Sequence, residues 1–332
     1  MPIQQSDFIF RKPALVNDTG SNGGRMSAVA LASAVKNNVW PDVPQSERTA
    51  GSTKYRKVFC HIANDDDLTL QSVKALLEKY SPADDYVTIF AGTHEDTQAD
   101  LTGSERAYGC GQLDATVLSG VTTIDVLTEG AALDLFQNGD TVRISDKDGI
   151  GGAGNEEYVT LNAATTYVGD VATLSFAEPL VNGYTAAETR VASVINLPDV
   201  AASVSNWSES AAGSGTYDET GSPLGLDHIG SVSQQWTLTF TGATTFDVVG
   251  DVVGSVGSGN TGADFSPNNP DHAKPYFTLL LAGWAGTWAN GDTVTFRTDP
   301  AALAIWEKRV IPPGASSLAG NEVRVAIDGA SA

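Results

Sequence analysis

Along most of this chain, apolar and polar residues alternate with a period of two, which predicts strands. The segment Lys54-Tyr-Arg-Lys-Val-Phe-Cys-His-Ile62 sets Tyr55, Lys57, Phe59 and His61 against Arg56, Val58, Cys60 and Ile62. Both sides carry apolar groups, so this strand should be covered on both faces. Asp85-Tyr-Val-Thr-Ile-Phe90 reads as its partner strand. Between them, Leu70, Val73, Leu76, Leu77 and Tyr80 recur at helical spacing and Ser81-Pro82 ends the run. That spacing predicts a helix over 69–79 and a strand–helix–strand module within residues 54–110.

From about residue 112 the pattern is almost entirely β. Strands are expected at 113–118, 122–127, 140–145, 157–161, 171–176 and 190–196, separated by Gly, Asn and Asp turns. A second set is expected at 234–240, 244–249, 275–281, 292–297, 304–311 and 322–327. The Ser/Gly/Glu-rich stretch 205–223 reads as a linker. Two words recur in order: Ser119-Gly-Val-Thr-Thr-Ile-Asp-Val126 with Thr241-Gly-Ala-Thr-Thr-Phe-Asp-Val248, and Asn138-Gly-Asp-Thr-Val142 with Asn290-Gly-Asp-Thr-Val294. Ordered repetition suggests a duplicated β-unit, the second carrying an insertion at 250–272. The expected fold is therefore mainly β, with a small α+β N-terminal module and two tandem β-sandwich or barrel domains related by duplication. The expected boundaries are 1–53 (an extended arm), 54–110, 111–200, 201–233 (linker) and 234–332.

Within residues 1–53 little periodicity is sustained. Asn17-Asp-Thr-Gly-Ser-Asn-Gly-Gly24 is turn-rich, Met26 to Lys36 is alanine-rich and suggests a short helix, and Trp40-Pro-Asp-Val-Pro44 reads as extended.

Charge changes this picture. The net charge is −21, yet residues 1–80 hold 10 Lys/Arg against 8 Asp/Glu and the remainder holds 9 against 32. The acidic body disfavours nucleic acid and anionic membrane as partners, and leaves the N-terminal segment as the better docking element. No apolar run approaches the length of a membrane span, so no membrane insertion is expected. The N-terminus also lacks the basic-then-apolar order of a signal peptide, which predicts a soluble chain not secreted by that route. Cys60 and Cys110 lie far apart and are expected to be reduced thiols.

Candidate chemistry is sparse. Gly149-Ile-Gly-Gly-Ala-Gly154 and Gly257-Ser-Gly-Asn-Thr-Gly262 spell G-x-G-x-x-G, but no helix is expected after either to receive a phosphate. Asp146, Asp148 and Glu156 are close enough to gather round calcium, but their spacing does not fit an EF-hand and they read first as a polar hairpin loop, so no metal is expected. The four histidines His61, His94, His228 and His272 show no metal spacing. Trp284 and Trp288 flank a turn that would expose them as a glycan platform, unless they pack in a core. No catalytic residue and no cofactor is expected.

The residues Asn17-Asp-Thr-Gly-Ser-Asn-Gly-Gly-Arg-Met-Ser27, Asn37-Asn-Val-Trp-Pro-Asp-Val-Pro-Gln-Ser-Glu-Arg48 and Tyr55-Arg-Lys-Val-Phe59 resemble a family of virion structural proteins. That family is encoded among the tail genes of tailed bacteriophages and Mu-like prophages. The resemblance implies a non-enzymatic, multi-copy subunit located in the virion. A homo-oligomeric ring in the tail or baseplate region is the first expectation. Asn17, Asp18, Arg25, Trp40, Pro41 and Arg48 are the expected inter-subunit contacts, with further copies of the chain and other virion proteins as partners. A receptor- or glycan-binding adhesin facing the host surface, and a head decoration or neck protein, are the alternatives.

Overall fold

The computed structural model describes residues 2–129 and 133–332. In chain order the first strands are β1 (Phe8–Leu15), β2 (Gly23–Ala30), β3 (Ser52–Ile62), β4 (Leu70–Lys79) and β5 (Tyr86–Ala91), with helix α1 (Gln45–Ala50) ahead of β3. Next come β6 (Cys110–Leu113), β7 (Thr123–Leu127), β8 (Thr141–Ser145), β9 (Glu156–Thr160), β10 (Thr166–Val168), β11 (Val171–Ser175) and β12 (Arg190–Asn196). After them follow β13 (Ser203–Ser210), β14 (Thr216–Tyr217), β15 (Gln234–Phe240), β16 (Thr245–Gly250), β17 (Gly254–Asn260), β18 (Asn268–Asn269) and β19 (Lys274–Pro275). The last four are β20 (Trp284–Ala285), β21 (Thr293–Asp299), β22 (Ala302–Ile311) and β23 (Arg324–Ser331). The fold is mainly β, as the alternation predicted.

Among the described residues there are three large bodies of core and a small cluster of Phe59, Ala302 and Ala304 with Met26. The first lies between the sheet β2-β1-β3-β22-β5 and the strands β12-β4-β23. Val58, Cys60 and Ile62 of β3, Ile89 of β5 and Ile305 of β22 share one cluster with Val73, Ala75 and Leu77 of β4 and Val194 of β12. The opposite face of β3 is buried too, through Lys57, Phe59 and His61, so both faces are covered as its pattern required.

The second is a barrel. Pairings run β7–β6–β12–β8–β9, the bridge Leu161↔Phe176 joins the end of β9 to the end of β11, and β11 returns to β7. That single bridge closes the circuit at the strand ends, while the other edge of β11 is taken by β10. Its interior is filled by Leu113, Ile124, Val126, Phe136, Val142, Ile144 and Leu174.

The third is the sheet β13-β21-β15-β16-β17 over an aromatic core of Trp236, Phe240, Phe246, Phe277, Trp288 and Phe296.

Several expectations are corrected. Residues 70–79 form a strand, not a helix, paired on one edge with β12 and on the other with β23. Ser72 takes a left-handed φ of 53°, and the register with β23 shifts opposite it. This bulge places Leu70 and Val73 three apart on one face and so imitates a helical period. Partners on both edges then outweigh the helix propensity of Leu, Lys and Glu. Residues 26–36 likewise are no helix: β2 pairs with β1, and a loop follows Ala30. Residues 1–53 are not an extended arm, since β1 pairs with β3 over Phe8–Arg11. β5 pairs with β22 and not with β3, because β22 enters between them. The expected linker contains β13, an edge strand of the third sheet. The region expected as strand 275–281 is no continuous strand: Pro275 ends β19, Thr278 and Leu279 make isolated bridges to Gly225 and Phe265, and Leu281 opens a 3-10 turn.

The recurring words share a turn but not a topology. Gly139 and Gly291 both sit at positive φ, 89° and 94°. In each turn the following aspartate accepts the N–H three residues back, Gln137 to Asp140 at 2.6 Å and Ala289 to Asp292 at 2.8 Å. Yet β16 and β21 flank the single strand β15, whereas β6 and β12 lie between β7 and β8.

Candidate functional site at the junctions of the units

The side chains that carried the N-terminal resemblance converge on one face of β3 and β22. Register places Arg56 opposite Glu307, and strand alternation puts Arg309 on the same face. The segment 31–44 crosses this face and lays Trp40 between the two arginines. Their guanidinium carbons stand 5.0 Å and 4.5 Å from the indole. Trp40 Nε1 donates to Glu307 Oε2 at 2.6 Å, and Arg309 Nη1 donates to the Pro41 carbonyl at 3.3 Å. Burial pushes the Glu307 carboxyl up to about 7, against the pull of Trp40 and both arginines.

Asp18 pairs with Lys54 at 2.8 Å and Arg56 at 2.7 Å, and Asn17 offers its carbonyl to Arg56 at 3.1 Å. Arg48 donates to Gln45 Oε1 at 2.8 Å, while its own carbonyl accepts from Gly314. Five of the six residues expected to contact neighbouring subunits thus fasten this chain to itself.

Arg25, the sixth, belongs to a second junction. It grips Asp251 with two bonds of 2.7 and 2.6 Å and donates to Glu95 at 2.6 Å. Glu95 also pairs with Arg297 at 2.7 Å, and Arg297 forks onto Asp299. Burial opposes ionisation of Glu95, but the two guanidiniums outweigh it and hold its carboxyl below the usual range. This relay joins β2, the loop after β5 and the third sheet.

A third junction gathers three of the four histidines, which sequence spacing left scattered. His61 is fully buried on β3. Its Nδ1 accepts from Arg11 Nε at 2.9 Å and its Nε2 lies 2.6 Å from the His228 carbonyl. Since Nδ1 accepts, Nε2 carries the proton and the ring is neutral. The His272 ring is 6.2 Å away. Burial, with Arg11 and the other histidines adding to it, pushes His61 down to about 4 even though the His228 carbonyl favours protonation. Burial also lowers His228 and His272. The one advance signal was His61 itself, a polar residue on a strand whose alternation required cover on both faces.

The remaining candidates resolve into contacts within the chain. Asp146 accepts from the Asn155 backbone, Asp148 pairs with Arg324 at 3.0 Å, and Glu156 pairs with Arg143 at 2.9 Å. Each carboxylate is committed to a separate partner, and no group of three ligands able to hold a metal occurs among the described residues. Trp288 is buried and stacks on Phe240 at 4.2 Å, and Trp284 meets Tyr217 edge-on at 4.7 Å. Both indoles belong to the aromatic core, not to an exposed platform. Trp207, whose ring stacks on Phe296 at 5.2 Å, lies at a hollow of about 390 Å³ lined also by Val204, Glu219, Pro223 and Leu226. Cys60 and Cys110 are free and buried, and burial pushes both thiols up to about 12.

At the outer end of the barrel, Leu118 and Val181 are 76% and 78% exposed. Their loops are joined by Gly120 N–H to the Leu180 carbonyl at 2.7 Å. Glu157 fixes the second loop by accepting from Val181 N, Asn182 N, Asn182 Nδ2 and Tyr184 Oη.

No family model matches this chain, and no curated protein matches it. Among solved structures it is aligned with the infectious bursal disease virus VP2 subviral particle at 10% identity, over 86% of this chain and 81% of that one. It is also aligned with the structure of infectious bursal disease virus Gx strain at 14% identity, over 100% and 76%. Both TM-scores are 0.11, so neither alignment carries an argument about fold or role. Among the described residues no helix is long and apolar enough to cross a membrane.

Proposed function

We propose that this chain is a non-enzymatic structural subunit of a tailed-phage virion. It assembles with copies of itself, as a ring in the tail or baseplate region. The N-terminal resemblance supports the setting. The observation that carries the assembly reading is the pair Leu118 and Val181, large apolar side chains left in water on two loops joined through Gly120 and Leu180, the second of them fastened by Glu157. Preformed apolar projections suit a contact surface whose ordering cost has already been met. In this reading the contact lies at the end of the barrel, because the six N-terminal residues first expected to make it are engaged within the chain.

The test is sedimentation velocity and negative-stain imaging of the purified chain beside Leu118→Asp/Val181→Asp. Loss of oligomer with unchanged circular dichroism supports the reading. An unchanged oligomer removes the barrel end as the contact, and a wild-type chain that stays monomeric and is absent from particles overturns the assignment. Copy number and symmetry in the particle separate a ring from a decoration or neck protein.

A second reading, receptor binding, is favoured by the recess beside Trp207. Glycan binding that Trp207→Ala abolishes would support it, and a blank glycan array would remove it.

A further inference from the structure

We infer that Lys57 and Asp96 form a self-modification site, where the lysine amine condenses with the aspartate side-chain carboxyl into an intramolecular amide. Register on β22 places Lys57 opposite Trp306. The Lys57 side chain has no exposed surface, and its Nζ lies 2.6 Å from Asp96 Oδ1. Phe59 and Trp306 wall the amine at 4.8 and 5.8 Å. Two backbone segments close on the Trp306 ring so tightly that only glycine fits. A Cβ on Gly23 would stand 2.8 Å from the ring, and one on Gly92 2.9 Å.

The carboxyl is held from both sides. Thr93 N donates to Oδ1 at 3.0 Å and Trp306 Nε1 donates to Oδ2 at 2.7 Å. The amine is further positioned by the Gly24 and Asp96 carbonyls at 2.8 and 2.9 Å. Nucleophile and electrophile are thus fixed in contact, with little water between them and donors aimed at the oxygen that takes up charge.

The atoms balance without a further reagent. Within the ion pair one proton passes from Nζ to the carboxylate, a shift that a low dielectric favours. Burial is the dominant influence on Lys57 and pushes its pKa down despite Asp96. The nitrogen lone pair attacks Cγ and a C–N bond forms. The charge that develops on Oδ2 rests on the Trp306 N–H. The other oxygen leaves as water with one proton from the earlier transfer and one from the amine. The remaining N–H keeps one backbone carbonyl as its acceptor. An ammonium and a carboxylate become an amide and water, which removes a buried ion pair and ties β3 to the loop bearing Glu95.

Denaturing intact-mass measurement on the full-length chain tests this. The expected result is a mass lighter by one water. A tryptic branched peptide should join Lys57 to the segment holding Asp96, with no cleavage after Lys57. Lys57→Arg keeps the cation but cannot condense, and should recover the full mass. If that variant does not fold, fragmentation of the wild-type branched peptide still decides. Full sequence mass with cleavage after Lys57 overturns the proposal. So does a water loss confined to a cyclic imide at Asp96.

Discussion

His61 and Glu307 are both held where the charged form is penalised, and they oppose each other in pH. His61 is lowered from 6.5 to about 4 by burial, next to Arg11, His228 and His272, with Asp271, Asp227 and Asp67 nearby. Because the folded value is depressed, the unfolded chain takes up the proton first as pH falls. Stability is therefore full above about pH 6.5 and is lost progressively toward pH 4, by about 3 kcal/mol for His61 alone. Urea unfolding at pH 7, 5.5 and 4 should show this loss, and His61→Gln should flatten it. A slope unchanged by the substitution would remove His61 as its source. Glu307 has the reverse sign, since its folded value is raised to about 7 by burial. The protonated form favours folding, so its contribution fades as pH rises from about 4.5 to 7. Glu307→Gln keeps an acceptor for Trp40 and should stabilise by on the order of 2–3 kcal/mol at pH 8, with little effect at pH 4. Equal effects at both pH values would count against a buried, neutral-preferring carboxyl.

At the scale of elements, period-two strands with turn residues at their ends were legible. The strands at 190–196 and 234–240 begin and end where alternation placed them. The strand 70–79 was not, because the bulge at Ser72 gives a helical spacing that only its two partner strands explain. The pairing of β22 between β3 and β5 was equally hidden, since no local signal records which distant strand fills an edge. The same holds for the site: Arg11, His61 and His228 meet only through contacts 50 and 167 residues apart in sequence. The N-terminal words were legible as a motif, but their role as an internal clasp needed the positions of Arg56, Glu307 and Arg309. The recurring Asn-Gly-Asp turns carry their own prediction. Nothing lies near a Cβ built on Gly139 or Gly291, so alanine there meets only backbone strain. Gly139→Ala and Gly291→Ala should each cost about 1–2 kcal/mol, and by similar amounts. Thermal denaturation that finds one costly and the other neutral would show that the turns are not equivalent.

For the molecule as a whole, the closing strands matter most. β22 lies between β3 and β5, and β23 lies along β4, so the end of the chain completes both sheets around the first core. Trp40, Arg25 and His61 then tie that core to the segment 31–44 and to the third sheet. Removing residues 300–332 should unfold the N-terminal core and not merely shorten the chain, seen as loss of protease resistance across 52–91. Survival of that region would mean that β22 and β23 are accessory. In the proposed assembly a body fastened in this way would bear load, with Leu118 and Val181 as its proposed contact. The most direct test is the native mass of the purified chain across a concentration series. A closed oligomer of fixed copy number, abolished by Leu118→Asp/Val181→Asp with the fold retained, is the predicted result. A wild-type chain that remains a monomer throughout and is missing from purified particles would contradict the account.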